Sequence, residues 1–227
     1  MKIDVIASGS TGNCYKVSNE DTALLIECGI PYKKIQEALN FKTTDIDGVL
    51  VSHEHMDHAR ACRDLIRAGV DIYTSVGTAE ALGIDDSHRF KRIIAKTIGS
   101  LNVITFNLHH DAKEPIGFYI TDQKTMESLL FITDTMYCGY KFPFDYLMIE
   151  VNYVKDTINQ NKSIHPDLRA RIKENHMSLE TALNFLRKCN LKRLKKMYVM
   201  HLSDNNSDAK IIKESLQEVS GVSVEIC

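Results

Sequence analysis

The stretch Val51-Ser52-His53-Glu54-His55-Met56-Asp57-His58 follows directly on Gly48-Val49-Leu50 and decides how the rest of the chain is read. An aliphatic run with no polar interruption describes a short strand buried on both faces. Three histidines and an aspartate then fall within six residues, His53 to His58. Where the backbone is extended or turning, residues two apart point the same way. His53 and His55 can therefore reach one metal ion, while Asp57 and His58 address a second. A surface turn before a helix, with Asp57 as its N-cap, is the plain alternative, but it gives no reason for three imidazoles at one strand end.

Working outward, the same arrangement recurs. Ile3, Val5 and Ala7 alternate before the turn Ser8-Gly9-Ser10-Thr11-Gly12-Asn13; Tyr15 and Val17 follow, and Leu24-Leu25-Ile26 runs into Glu27-Cys28-Gly29. Strands joined by a polar glycine-containing turn are the natural reading. Pro31 opens a helical segment with Ile35, Ala38 and Leu39 on one face. Asp71 to Thr74 reads as a strand and Thr78 to Leu82 as a short helix, whereas the weak alternation from Ile84 to Thr97 supports no assignment. Asn102 to Leu108 is a strand ending at His109-His110. Gly117 to Thr121 and Leu129 to Thr133 form a hairpin that leads to Asp134, and Tyr146 to Glu150 is a further strand. Met197 to Met200 is a final core strand running into His201, and a last helix spans roughly Ser207 to Val219.

Again and again an apolar strand stops and a His, Asp or Glu follows. Strand ends are rigid supports, so the loops leaving them can converge side chains from distant sequence. His110, Asp134 and His201 thereby join the first cluster as candidate ligands, Asp134 being a carboxylate able to bridge two cations. Imidazole-rich donors suit zinc, and the carboxylate oxygens keep manganese as the alternative. No repeat, low-complexity tract or linker divides the chain, so residues 1–227 read as one domain.

Hydrophobic residues at 44% and charged residues at 26% fit a globular chain able to bury a core without staples. The formal charge of -2 argues against a broad nonspecific nucleic-acid face and leaves small anions open as ligands. Six scattered cysteines with no C-x-x-C pair, and a start without a secretion signal, read as reduced thiols in a cytoplasmic protein. No apolar stretch is long enough for a membrane span.

Near the end of the polar region, Ser178 fits an N-cap for a helix carrying Leu179, Ala182, Leu183 and Leu186. That puts His176 just ahead of a helix N-terminus, where a phosphate is favoured. His176 then either meets a phosphate there or is a capping-loop residue without chemistry. Lys162, His165, Arg169, Arg171 and Lys173 precede it, as a phosphate clamp or as a solvated helix face.

The His-x-His-x-Asp-His segment, a lone His, a bridging Asp and a late His resemble the metallo-β-lactamase superfamily. Ala7 to Asn13, Val51 to His58, His110-Asp111-Ala112-Lys113-Glu114-Pro115, Ile132-Thr133-Asp134-Thr135 and His201-Leu202-Ser203-Asp204-Asn205-Asn206 resemble its YycJ/WalJ-like branch in particular. What the resemblance implies is an α/β fold, the αββα sandwich of two mixed sheets flanked by helices, with two divalent metal ions. The first ion would take His53, His55 and His110; the second would take Asp57, His58 and His201, with Asp134 bridging. His109 would then face the sheet interior or a neighbouring loop. Glu27 stands where the family usually has an Asp that orients the ligands by hydrogen bonding.

The resemblance also implies roles around the centre. Asp57 would orient the nucleophile as well as bind metal, and His176 would contact the phosphate or protonate the leaving oxygen. Ser10, Thr11 and Asn13 would offer a phosphate their loop or form a purely structural turn. Asn152, Tyr153, Arg169 and Ser178 would border the substrate. The branch is described as nuclease-like, yet small relatives resemble the anti-Pycsar enzymes, which open cyclic nucleotide monophosphates. The -2 charge and the absence of room for a clamp domain lead us to expect a phosphodiesterase opening cyclic nucleotides with a hydroxide generated between two metals; the alternative is a DNA or RNA nuclease. A homodimer is a further expectation of the resemblance.

Overall fold

The first glycine-containing turn joins β1 (Lys2–Ala7) to β2 (Cys14–Ser18), paired antiparallel with a register shift between Val5 and Ala7. A computed structural model describes residues 1–203 and 205–227; Asp204, part of the last motif quoted above, lies outside the described residues. Contacts divide the chain into two compact units. The first comprises Met1–Asn107 with Ala112–Glu127, and the second Leu108–Asp111 with Ser128–Cys227.

In the first unit a six-stranded sheet runs in the order β1-β2-β3-β4-β5-β6, with β3 (Ala23–Ile26), β4 (Gly48–Leu50), β5 (Ile72–Thr74) and β6 (Phe90–Arg92). β3 pairs antiparallel with β2, and from β3 onward the pairing is parallel, so the sheet is mixed. The helices are α1 (Tyr32–Ala38), α2 (Met56–Ala59), α3 (Cys62–Arg67) and α4 (Val76–Leu82). Leu25, Val49 and Ile72 from the strands join Ile35 and Leu65 from α1 and α3 in one buried cluster. An antiparallel set, β7 (Ala95–Ile98), β8 (Leu101–Asn107) and β9 (Ile116–Asp122), completes this unit.

The second unit is built on four parallel strands, β10 (Ser128–Ile132), β11 (Tyr146–Glu150), β12 (Lys196–Met200) and β13 (Ser223–Ile226). Every residue of β10 is buried, as expected of a parallel strand covered on both faces. Its helices are α5 (Lys155–Gln160), α6 (Pro166–Asn175), α7 (Leu179–Arg187) and α8 (Ala209–Ser220). The register aligns Ile132 with Ile149 and Ile149 with Val199. In-register parallel strands end at one edge, where ligands collect in open α/β sheets. Asp134, Glu150 and His201 leave from that edge.

Three parts of the sequence reading are revised here. The unassigned stretch Ile84 to Thr97 holds β6 and most of β7. β6 has only three residues and β7 exposes three of its four, so neither shows a two-residue period. β13 was not foreseen, because of its four residues only Val224 is buried. On α7 the buried stripe is Leu179, Ala182, Phe185 and Leu186, with Leu183 only half-buried.

Candidate metal centre

The first unit carries the histidine-rich segment on the turn between β4 and α2. His55 occupies the N-cap position of α2, so Asp57 and His58 fall inside its first turn rather than Asp57 capping it. The rings of His53 and His55 lie 4.7 Å apart between centroids, and those of His53 and His58 4.1 Å apart. His53 and His58 are fully buried, whereas His55 and Asp57 are partly open. The Nδ1 of His53 is 2.8 Å from the Ser52 hydroxyl, which holds the ring in place.

Three chain segments are laced around this turn. The Asn13 and Cys28 N–H groups donate to the carbonyls of Asp57 and His58, both at 2.8 Å, and Gly29 N–H donates to Asn13 at 2.9 Å. Gly29 has to be glycine, because a Cβ there would stand 1.7 Å from the Asp57 carbonyl oxygen. Asn13, which the sequence reading left as a phosphate contact or part of a structural turn, is buried. Its amide donates to the Asp57 carbonyl at 3.1 Å and lies 3.4 Å from His58 Nε2. Ser10 and Thr11 are exposed at the tip of the same loop.

Glu27 is fully buried, with Oε2 3.6 Å from His58 Nδ1 and Oε1 3.3 Å from the Ser52 N–H that donates to it. Burial pushes its carboxyl above the usual range, against the pull of His58 and Ser52. Its φ of 63° is in the left-handed region, which costs a non-glycine residue about 1–3 kcal/mol. The conformation is therefore held by its surroundings.

In the second unit the strand-end residues converge. Donor atoms of Asp134, Glu150, His176 and His201 all lie within 4.8 Å of one another. Imidazole nitrogens and carboxylate oxygens this close form a donor set that fits a divalent transition metal. His201 also has a left-handed φ, 55°, directly after β12. The His176 and His201 rings stack at 5.5 Å, and the His110 ring lies 5.1 Å from His176. His110 Nδ1 donates to the Asn175 carbonyl at 2.9 Å, leaving Nε2, 3.6 Å from Asp134 Oδ2, as the lone-pair nitrogen. Burial holds the His110 pKa below the ordinary histidine value, with Asp134 opposing.

Glu150 organises this group, and the sequence reading placed it only as a strand end. It is fully buried, with Oε1 2.5 Å from His176 Nδ1 and 3.4 Å from His201 Nδ1. Its Oε2 accepts from the N–H groups of Thr135 and Met177, each at 3.1 Å. Burial works against charge on His176, but the Glu150 carboxylate outweighs it and holds the imidazole pKa above its ordinary value. The sequence did contain the signal, an acidic residue closing an apolar strand. The Asn175 carbonyl had no such signal, being backbone.

Other expected contacts fall as follows. Asn152 donates to the His201 carbonyl at 3.1 Å, with its amide 3.3 Å from His201 Nδ1. Ser178 caps α7 by accepting from Thr181 N–H, as expected, but it is fully buried and so does not border a substrate. Tyr153, also buried, bridges to Ser178. Arg169 donates to the Asn161 carbonyl at 2.5 Å, Arg171 pairs with Asp111 at 2.7 Å, and Lys173 reaches Asn159 at 2.7 Å. His165 caps α6, and Lys162 is exposed. His109 lies exposed against a neighbouring loop, its ring stacked 4.3 Å from Tyr137.

Residues 23–202 match the family described as the beta-lactamase superfamily domain. Exodeoxyribonuclease WalJ of Streptococcus pneumoniae is 32% identical over 228 residues, covering 91% of this chain and 83% of that protein. Exodeoxyribonuclease YycJ of Bacillus anthracis is 28% identical over 239 residues, covering 96% and 89%. Among solved structures, the metallo-beta-lactamase fold protein YhfI from Bacillus subtilis superposes with a TM-score of 0.77 at 17% identity, over 99% of this chain and 95% of that one. The chain belongs to the beta-lactamase superfamily: it has the metallo-β-lactamase fold of two mixed sheets flanked by helices, and it is an enzyme of the metal-dependent hydrolase class.

Proposed function

We propose that the chain is a metal-dependent DNA exonuclease. The observation that carries this reading is the convergence of Asp134, Glu150, His176 and His201 at one strand edge. The substrate assignment is supported by the two exodeoxyribonucleases that resemble nearly the whole chain. His53, His55, Asp57 and His58 of the first unit and His110, Asp134 and His201 of the second would be the residues that hold the ions. Zinc suits these imidazoles best. When bound, such ions supply positive charge to the phosphodiester and lower the pKa of water.

The chain's own groups do the rest. Glu27 and Asn13 hold His58 and the Asp57 backbone in place, and Asn152 holds His201. Glu150 engages Nδ1 of His176, which leaves Nε2 to carry a proton to the departing oxygen. Asp57, half-buried beside His58, orients the attacking water.

The test incubates the zinc- or manganese-loaded chain with 5′-phosphorylated single- and double-stranded DNA, RNA and cyclic mononucleotides. Mononucleotide release from DNA ends, lost in Asp134→Ala, is the expected result. Turnover of cyclic mononucleotides alone would replace this reading with the second one, cyclic nucleotide hydrolysis. The formal charge of -2 favours that second reading, as does the internal engagement of Arg169 and Arg171. A homodimer, the remaining expectation of the resemblance, is checked by sedimentation of the same preparation.

A further inference from the structure

The loop that leaves Asp134 carries features the metal centre does not use. Tyr137 is 42% exposed and stacks on the exposed ring of His109, with centroids 4.3 Å apart and planes 19° from parallel. Backbone and hydroxyl bonds fix the pair. His109 N–H donates to the Thr135 hydroxyl at 2.9 Å, the Thr135 hydroxyl donates to the Tyr137 carbonyl at 2.8 Å, and Met136 N–H donates to the His109 carbonyl at 3.0 Å. Thr135 in turn donates its N–H to Glu150. The stacked pair is thus tied to the ligand scaffold, with His109 next to His110 and Tyr137 three residues after Asp134.

Beside Tyr137 opens a cavity of about 360 Å³, lined also by Cys138, Lys141, Asn184, Phe185 and Lys188. Phe185 is buried, whereas Lys141, Asn184 and Lys188 are exposed at its edge. Among the described residues neither Lys141 nor Lys188 pairs with an acidic group, unlike Arg171, which pairs with Asp111. An exposed aromatic face, an amide and two uncommitted cations around one hollow match the face, edge and phosphate of a nucleotide.

We infer that this hollow binds a nucleotide of a single DNA strand adjoining the one being cleaved. Its base stacks on Tyr137, its edge meets Asn184, and the backbone phosphate lies between Lys141 and Lys188. Stacking reads only the π-face of a base, so the subsite tolerates any sequence. The inference rests on the nuclease reading above and gives it a polymer-specific contact that a cyclic mononucleotide does not need.

The test measures fluorescence anisotropy of labelled phosphorothioate oligodeoxynucleotides, from dinucleotide to octanucleotide, on the metal-loaded full chain. Tyr137→Ala is expected to weaken octanucleotide binding about tenfold. Lys141→Glu with Lys188→Glu is expected to do the same and to flatten the salt dependence. The dinucleotide should lose far less in either variant. Circular dichroism and the unfolding midpoint establish that each variant is folded, and Tyr137→Phe, which keeps the ring, should restore binding. Octanucleotide affinity unchanged in both variants, or equal losses for dinucleotide and octanucleotide, would overturn the subsite. Intact, Tyr137-dependent binding without DNA cleavage would instead sink the nuclease reading and leave the strand-binding site standing.

Discussion

His176 Nδ1 stands 2.5 Å from Oε1 of the fully buried Glu150, and the other oxygen of that carboxylate is held by two backbone N–H groups. A carboxylate fixed at both oxygens cannot swing away, so it sets the tautomer and the tilt of the imidazole. The same oxygen lies 3.4 Å from His201 Nδ1. One residue at the end of β11 thereby positions two histidines from separate parts of the chain.

Removing that charge should disturb metal binding and turnover together. In Glu150→Gln, metal affinity is expected to fall about 10–100-fold, as for other groups that orient ligands. Competition against a chromophoric chelator measures it. An unchanged affinity, with kcat also unchanged, would show that Glu150 is merely a buried structural acid.

Gly29 offers a test on the first unit. A methyl group there would overlap the Asp57 carbonyl, which is backbone and cannot swing aside. Gly29→Ala should destabilise the chain by about 3 kcal/mol, at the upper end for an overpacked site. The urea midpoint reads this directly. A wild-type midpoint would mean that the turn carrying Asp57 and His58 can move freely.

Acid sensitivity should come partly from Asp145. Burial alone would raise its carboxyl pKa, but the Ser128 N–H and the Arg193 guanidinium bond to it and hold it below the usual carboxylate range. A lowered folded pKa contributes stability that is present above the unfolded value and is lost as pH falls through the folded value. Asp145→Asn should therefore cost about 1.5–3 kcal/mol at pH 7, and progressively less as the pH drops below about 4. Urea titrations of both proteins at pH 7 and pH 3 check the convergence. A constant gap between them would contradict it.

Stripping metal with a chelator should abolish hydrolysis and lower the unfolding temperature, with both restored by zinc. An ion present at about a hundred times its Kd stabilises the folded state by roughly 2.7 kcal/mol. Differential scanning calorimetry of stripped and reloaded protein gives the shift. An unfolding temperature indifferent to metal would show that the clustered histidines and carboxylates hold none.

Much of the site was legible before any coordinates. The spacing of His53, His55, Asp57 and His58, and the habit of apolar strands to stop at an acid or an imidazole, depend only on local backbone periodicity. Ser178 as a helix cap is equally local, and it holds. Glu150 follows the same strand-end pattern, but a terminal acid on an apolar strand suits solvent as well as a buried site, and only its complete burial separates the two cases. The short strands β6, β7 and β13 left no period to read.

Sequence alone determined which residue types stand at the ends of which strands, because alternation and glycine-bearing turns are properties of neighbours along the chain. Tertiary structure decided what those residues touch. The 2.5 Å approach of Glu150 to His176, the grip of the Asn175 carbonyl on His110 and the packing of Gly29 against Asp57 join positions 26, 65 and 28 residues apart. Contacts of that range are set by strand register and helix packing, which no local pattern of residues encodes.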